Sequence, residues 1–123
     1  MAQRLPMPVG TESEGSVVTT YTLSGGPLRV PRPGTPRTTL IEGESEDGTV
    51  HIRFDIDDRL VMYFVYSRDG QERETSVNIQ PLRGATRIFI TGTWTDNQLT
   101  IYAGDKDKAD TQAGHLLQGT TQF

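Results

Sequence analysis

Residues 50–57, VHIRFDID, alternate without a break. Val50, Ile52, Phe54 and Ile56 fall on one side of an extended chain, and His51, Arg53, Asp55 and Asp57 fall on the other. A period of two suits a half-buried β-strand and cannot line one face of a helix. The same alternation recurs wherever the chain leaves its turns. SVVTTYTL (16–23) puts Val17, Tyr21 and Leu23 on one face, and LVMYFVYS (60–67) carries apolar groups on both faces, as an interior strand does. No segment sustains a 3.6-residue apolar period with caps, so no helix is expected.

Turn chemistry sets the expected register. A two-residue loop at Asp58 and Arg59 places Ile56 opposite Val61, Phe54 opposite Tyr63 and Ile52 opposite Val65. The other side then pairs Asp57 with Leu60, Asp55 with Met62, Arg53 with Phe64 and His51 with Tyr66. For the next turn, a three-residue loop with Gly70 left-handed brings Val77 beside Val61 and Ile79 to the same side, and burial of such side chains, worth roughly 1.5–3 kcal/mol each, favours it. In TRIFITGTWTDNQLTIYAGD (86–105), a turn at Asp96 and Asn97 pairs Trp94 with Leu99, Gly92 with Ile101 and Ile90 with Ala103. The opposite face receives Phe89, Thr91, Thr93, Thr100 and Tyr102. A last short strand is expected around Leu116 and Leu117. Seven or more strands on short turns imply an all-β, antiparallel two-sheet sandwich of jelly-roll type, with a closed antiparallel barrel as the alternative.

The 123 residues accommodate one domain, placed at 16–123. Residues 1–15 mix Pro, Gly, Ser and Glu without period and read as a flexible tail. Residues 24–38, SGGPLRVPRPGTPRT, form a Pro-rich loop, since each proline removes a backbone donor and fixes φ. Its arginines also admit a reading as a ligand for a partner domain, although their spacing fits such motifs poorly.

The net charge is −4, with acids and bases interspersed, so no basic footprint for nucleic acid exists. The absence of Cys excludes disulfides, thiolate metal sites and thiol nucleophiles. Neither a secretory leader nor a stretch of about 20 apolar residues is visible, and the chain reads as soluble with no membrane partner.

TGTWTDNQLTIYAGD (91–105) resembles the concanavalin A-like superfamily, in particular its laminin G-like and pentraxin-like jelly rolls. The residues that carry the likeness are Thr93, Trp94, Asp96, Leu99 and Tyr102, with Gly104 displaced by one place. This resemblance implies a two-sheet sandwich that binds sugars or protein partners. ITGTW also resembles the strand opening of avidin-like and lipocalin-like barrels, which hold small molecules inside, though in those families the strand comes near the N-terminus.

Asp55 and Asp57 stand at a spacing compatible with paired glycosidase carboxylates. The third acid of the jelly-roll glycosidases is replaced here by Arg59, and Glu42, Glu44 and Glu46 lie in a segment broken by Gly43 and Ser45, so solvated acids are the better reading. His51 and His115 lack partners at nucleophilic or metal-ligand spacing. Asp105, Asp107 and Asp110 offer oxygen ligands to Ca2+, a recurrent ion of laminin G-like domains, with Lys106 and Lys108 offsetting their charge. No cofactor is required. The expected ligand-binding set is Arg53, Phe64, Tyr66, Tyr102, His51 and Asp55, where aromatic planes stand beside hydrogen-bonding groups as sugar rings require. The chain thus reads as a non-catalytic binding module for carbohydrate or a glycosylated partner. Alternatives are a small barrel for an apolar metabolite and a protein-interaction or assembly domain.

Overall fold

The computed structural model describes residues 2–109 and 116–123, and Asp110 and His115 lie outside them. Nine strands are present: β1 (Gln3–Arg4), β2 (Gly15–Thr22), β3 (Thr38–Glu44), β4 (Val50–Ile56), β5 (Val61–Arg68), β6 (Gln71–Asn78), β7 (Arg87–Trp94), β8 (Gln98–Asp105) and β9 (Leu117–Gln122). They form two packed sheets, β1-β3-β4-β5-β6 and β2-β7-β8-β9. All pairings are antiparallel except β1 with β3. The fold is the expected two-sheet sandwich, and the barrel does not close. Among the described residues, helix is confined to a 3-10 turn at Gln80–Leu82, which contains Pro81, and a single turn, α1 (Lys106–Ala109). No helix among the described residues is long and apolar enough to cross a membrane.

The core lies between the sheets, with Ile52, Phe54, Met62 and Phe64 from one side meeting Ile90 and Ile101 from the other. Phe54 and Phe64 stack at 5.1 Å and press on Gly92, where an added Cβ would lie 2.9–3.0 Å from their rings. At one end Tyr66 stacks on Trp94 at 5.2 Å.

The β7–β8 hairpin has the expected register, including Trp94 with Leu99 and Ile90 with Ala103. The β4–β5–β6 meander departs from it. Its observed pairs are Ile56 with Met62, Phe54 with Phe64 and Ile52 with Tyr66, one residue away from the expected alignment. The three-residue loop is the first one: Asp57 and Val61 close it, and Leu60 takes φ +59°. The two-residue loop is the second, with Asp69 at φ +52° and Gly70 at +82°, the pair of left-handed residues that a type I′ turn needs. Left-handed backbone costs an L-residue roughly 1–2 kcal/mol. Complete burial of the Leu60 side chain, worth about 1.5–3 kcal/mol, offsets that cost. The two slips cancel by β6, so Val77 and Ile79 reach the core, but Val77 lies opposite Met62.

Part of the stretch expected to be a tail packs on the sandwich. Gln3 and Arg4 pair with β3, the Leu5 and Val9 amides donate to the Glu42 and Glu44 carbonyls at 3.0 Å each, and Val9 is buried. The Pro-rich loop covers the end of the sandwich where Leu28 exchanges backbone hydrogen bonds with Gly84 and Ala85.

Candidate functional site

The one-residue slip decides the fate of the expected ligand set. Phe64 and Tyr66, placed by sequence beside Arg53 and His51, point inward: Phe64 is fully buried and Tyr66 nearly so. The outward neighbours of Arg53 and His51 on β5 are Val65 and Ser67. Arg53, His51 and Asp55 stay together on the outer face of the five-stranded sheet, while Tyr102 lies on the outer face of the other sheet, opposite Thr91. The six residues therefore do not converge.

On the five-stranded sheet the polar groups bind one another. Asp55, 4% exposed, accepts from Arg37 Nε at 2.9 Å, Arg53 Nε at 3.0 Å and Thr39 Oγ1 at 2.8 Å. Arg37 continues to Glu74 at 2.9 Å and Arg53 to Glu72 at 3.3 Å. The Arg37 guanidinium lies 3.7 Å over the Tyr63 ring, and the Tyr63 hydroxyl donates to Asp57 at 2.8 Å. His51 Nε2 stands 4.0 Å from Glu42. These charge-assisted bonds occupy the carboxylates and the fork donors that would otherwise hold a ligand.

The two acids compared with a glycosidase pair are likewise committed. Burial by itself raises the Asp57 carboxyl, but hydrogen bonds from the Val61 amide, the Tyr63 hydroxyl and the Arg59 amide, with the Arg59 charge, outweigh it and hold the group below the usual carboxylate range. Asp57 in turn pushes the Tyr63 hydroxyl up, through their hydrogen bond first and then with burial. A general acid needs the opposite perturbation, a carboxyl raised toward neutrality.

Of the calcium candidates, Asp105 accepts the Asp107 amide at 3.0 Å and Asp107 forms an ion pair with Arg87. Asp110 is outside the described residues, among which no group of three potential ligands is assembled.

The outer face of the four-stranded sheet has a different chemistry. Strand register lines up Ser16, Thr93, Thr100 and Thr120 in one row across all four strands, and Val18, Thr91, Tyr102 and Gln118 in the next. Thr20 and Phe89 follow, opposite Gly104. Val18 is 62% exposed, and Phe89 and Tyr102 are half-buried. Thr100 and Thr120 share a hydrogen bond of 3.2 Å, and Gln118 Nε2 donates to Thr120 at 3.3 Å. Among the described residues, charge enters where the rows end, with Lys106 Nζ 5.8 Å from the Phe89 ring. Tyr102 belongs to the ligand set expected from the sequence and Phe89 to the same expected face, but that set is centred on the polar row of β4, whose alternation is the stronger pattern.

Each end of the sandwich holds a cleft between the sheets. Beneath the Pro-rich loop, about 260 Å³ is bordered by Leu23, Leu28, Leu40, Ile56, Leu60 and Ile88. At the opposite end, about 190 Å³ is bordered by Tyr66, Arg68, Gln71, Arg73, Asp96 and Phe123, among others. Tyr66 thus reaches a cleft through its hydroxyl end although its ring belongs to the core.

No family model, curated protein or solved structure matches the chain.

Proposed function

We propose that this protein is a non-catalytic binding module that recognises a neutral, polyhydroxylated ligand, a carbohydrate or the glycan of a partner, on the outer face of the four-stranded sheet. The observation that carries this reading is the composition of that face. In a chain with 23% charged residues, its central rows hold hydroxyls, an amide and two half-buried aromatic rings, with no charged side chain. A sugar presents C–H faces to aromatic planes and exchanges hydroxyl hydrogen bonds with its surroundings, and this array offers both. Without ionic contacts, such a site is expected to bind weakly, on the order of 10 μM to 1 mM.

Titration of the labelled protein with neutral oligosaccharides selected on a glycan array tests the reading. Tyr102→Ala and Phe89→Ala are each expected to weaken binding about tenfold, consistent with loss of one aromatic contact. Unchanged affinity in both variants, or an array with no neutral glycan retained, rejects it.

The cleft beneath the Pro-rich loop favours a second reading, a site for an apolar small molecule, because its walls are mostly apolar, with Ser24 and Arg29 the polar side chains that border it beside Tyr21. A binder present at a hundred times its dissociation constant stabilises the folded state by about 2.7 kcal/mol. Thermal stabilisation by an aliphatic acid or alcohol, abolished in Leu40→Asp, supports this reading; no stabilisation across a chain-length series excludes it.

A further inference from the structure

Arg68 and Arg73 meet in the cleft at the end opposite the Pro-rich loop. Both are half-buried and stand on the inward-facing register of neighbouring strands, where Arg73 is paired with Tyr66. Four other arginines on or next to the strands take carboxylates: Arg4 pairs with Glu42, Arg37 with Asp55 and Glu74, Arg53 with Asp55 and Glu72, and Arg87 with Asp107. Arg68 and Arg73 have no carboxylate in ion-pair contact among the described residues. Arg68 gives Nε and Nη2 to the Tyr66 hydroxyl at 3.0 and 2.8 Å, and Nη2 also to the Thr11 and Glu12 carbonyls at 2.9 and 2.8 Å. Arg73 gives Nη1 to the Asp96 carbonyl at 3.0 Å and lies 4.8 Å over the Phe123 ring.

Neutral acceptors hold these two side chains in place without cancelling their charge. Among the described residues, Nη1 of Arg68 and the Nε and Nη2 donors of Arg73 have no hydrogen-bond acceptor, which leaves them for another one. A guanidinium fork matches a planar carboxylate or two oxygens of a sulfate or phosphate, and one already immobilised by packing loses less entropy on binding. The molecule's negative net charge opposes an anion only weakly here, because at physiological salt exposed charges beyond about 8 Å are screened. Asp96 borders the cleft and contributes its backbone carbonyl to Arg73.

From this arrangement we infer that the Arg68–Arg73 cleft is an oxyanion site, taking a single carboxylate, sulfate or phosphate group with Gln71 and Ser13 at its rim. It is separate from the proposed glycan face, and the two stand or fall independently. A sugar acid, a sulfate ester and a free inorganic anion share this chemistry.

The test follows the arginine Nε–H and the Gln71 side-chain amide signals by NMR. The full chain is titrated with sodium glucuronate, sodium sulfate and sodium phosphate at constant ionic strength, with sodium chloride and glucose as controls. Saturable shifts at Arg68, Arg73 and Gln71 with at least one of the three oxyanions are expected, at roughly millimolar or tighter affinity. Preference for glucuronate identifies a sugar acid as the source, and preference for sulfate or phosphate a free or esterified inorganic group. Arg73→Gln should weaken binding about tenfold or more, with Arg73→Lys intermediate because charge returns without the fork. Arg73→Gln also gives up the hydrogen bond to the Asp96 carbonyl and the contact with the Phe123 ring, so each variant is titrated well below its own melting temperature, and Tyr102→Ala should bind the anion as the parent does. Shifts that never saturate, that chloride reproduces, or that persist equally in Arg73→Gln overturn the inference.

Discussion

Asp57 organises the most unusual turn in the molecule. Its Oδ1 accepts the Arg59 and Val61 amides at 2.9 and 3.0 Å while Oδ2 takes the Tyr63 hydroxyl, so one carboxylate fixes the loop that carries left-handed Leu60 into the core. Replacing it by Asn removes the charge and misaligns at least one of these bonds. A loss of about 1.5–3 kcal/mol at neutral pH is expected, the range for hydrogen bonds to a charged group. Because the carboxyl is held below its unfolded value, its contribution is complete above that value, about 3.9, and fades as pH falls through the lower folded value. The gap in melting temperature between the parent and Asp57→Asn should therefore be flat from pH 7 to about 5 and narrow steadily below about 4. A gap that stays constant down to pH 2 would show that the charge is irrelevant to the turn.

At the scale of strands, the existence of β2 to β9 was legible in the sequence, and their facing and pairing were legible only where turn residues left a single choice. Asp96 and Asn97 between TGTW and QLTI permit one apolar alignment, and the β7–β8 register follows from it. Around β5 the pattern is ambiguous, because Leu60, Met62, Phe64 and Tyr66 compete with Val61, Tyr63 and Val65 for the core and both sets are apolar. A leucine in left-handed backbone is the deciding feature, and its cost is met by burial that no local rule reveals. That single residue removed Phe64 and Tyr66 from the candidate site. Strand β9 shows a further constraint hidden from sequence. A Cβ on Gly119 would lie 1.8 Å from the Ser76 carbonyl, so this glycine lets β9 lie against β6 across the two sheets, beside the 2.9 Å hydrogen bond between Thr75 and Thr121. Gly119→Ala should displace β9 and cost about 1–3 kcal/mol, the usual range for overpacking. Denaturant unfolding measures the loss, and amide exchange should accelerate in β9 before β7. Unchanged stability would mean that the two edges do not depend on this close approach.

For the whole molecule, the N-terminal segment joins the two sheets. Leu5 packs so closely over Gly43 that a Cβ there would lie 2.6 Å from it, Val9 is buried, and the Glu12 carbonyl accepts both Trp94 Nε1 at 3.1 Å, from the four-stranded sheet, and Arg68, from the five-stranded one. Read along the sequence, residues 1–15 have no apolar period, and isolated Leu5 and Val9 do not signal a packed element, since the edge of β3 that receives them is distant in the chain. Removing residues 2–12 takes away two apolar contacts worth up to about 1.5–3 kcal/mol each and leaves the Trp94 indole without its acceptor. The expected result is a loss of about 3–5 kcal/mol, a red-shifted Trp94 emission as water reaches the ring, and concentration-dependent association through the uncovered β3 edge. Arg68 also loses two of its three anchoring acceptors. Any oxyanion affinity of the cleft should then drop even in conditions where the truncated chain remains folded, because the fork must be ordered at the moment of binding. A truncated chain with the parent's melting temperature and Trp94 emission would show that the segment merely lies on the sandwich and binds its sheets to nothing.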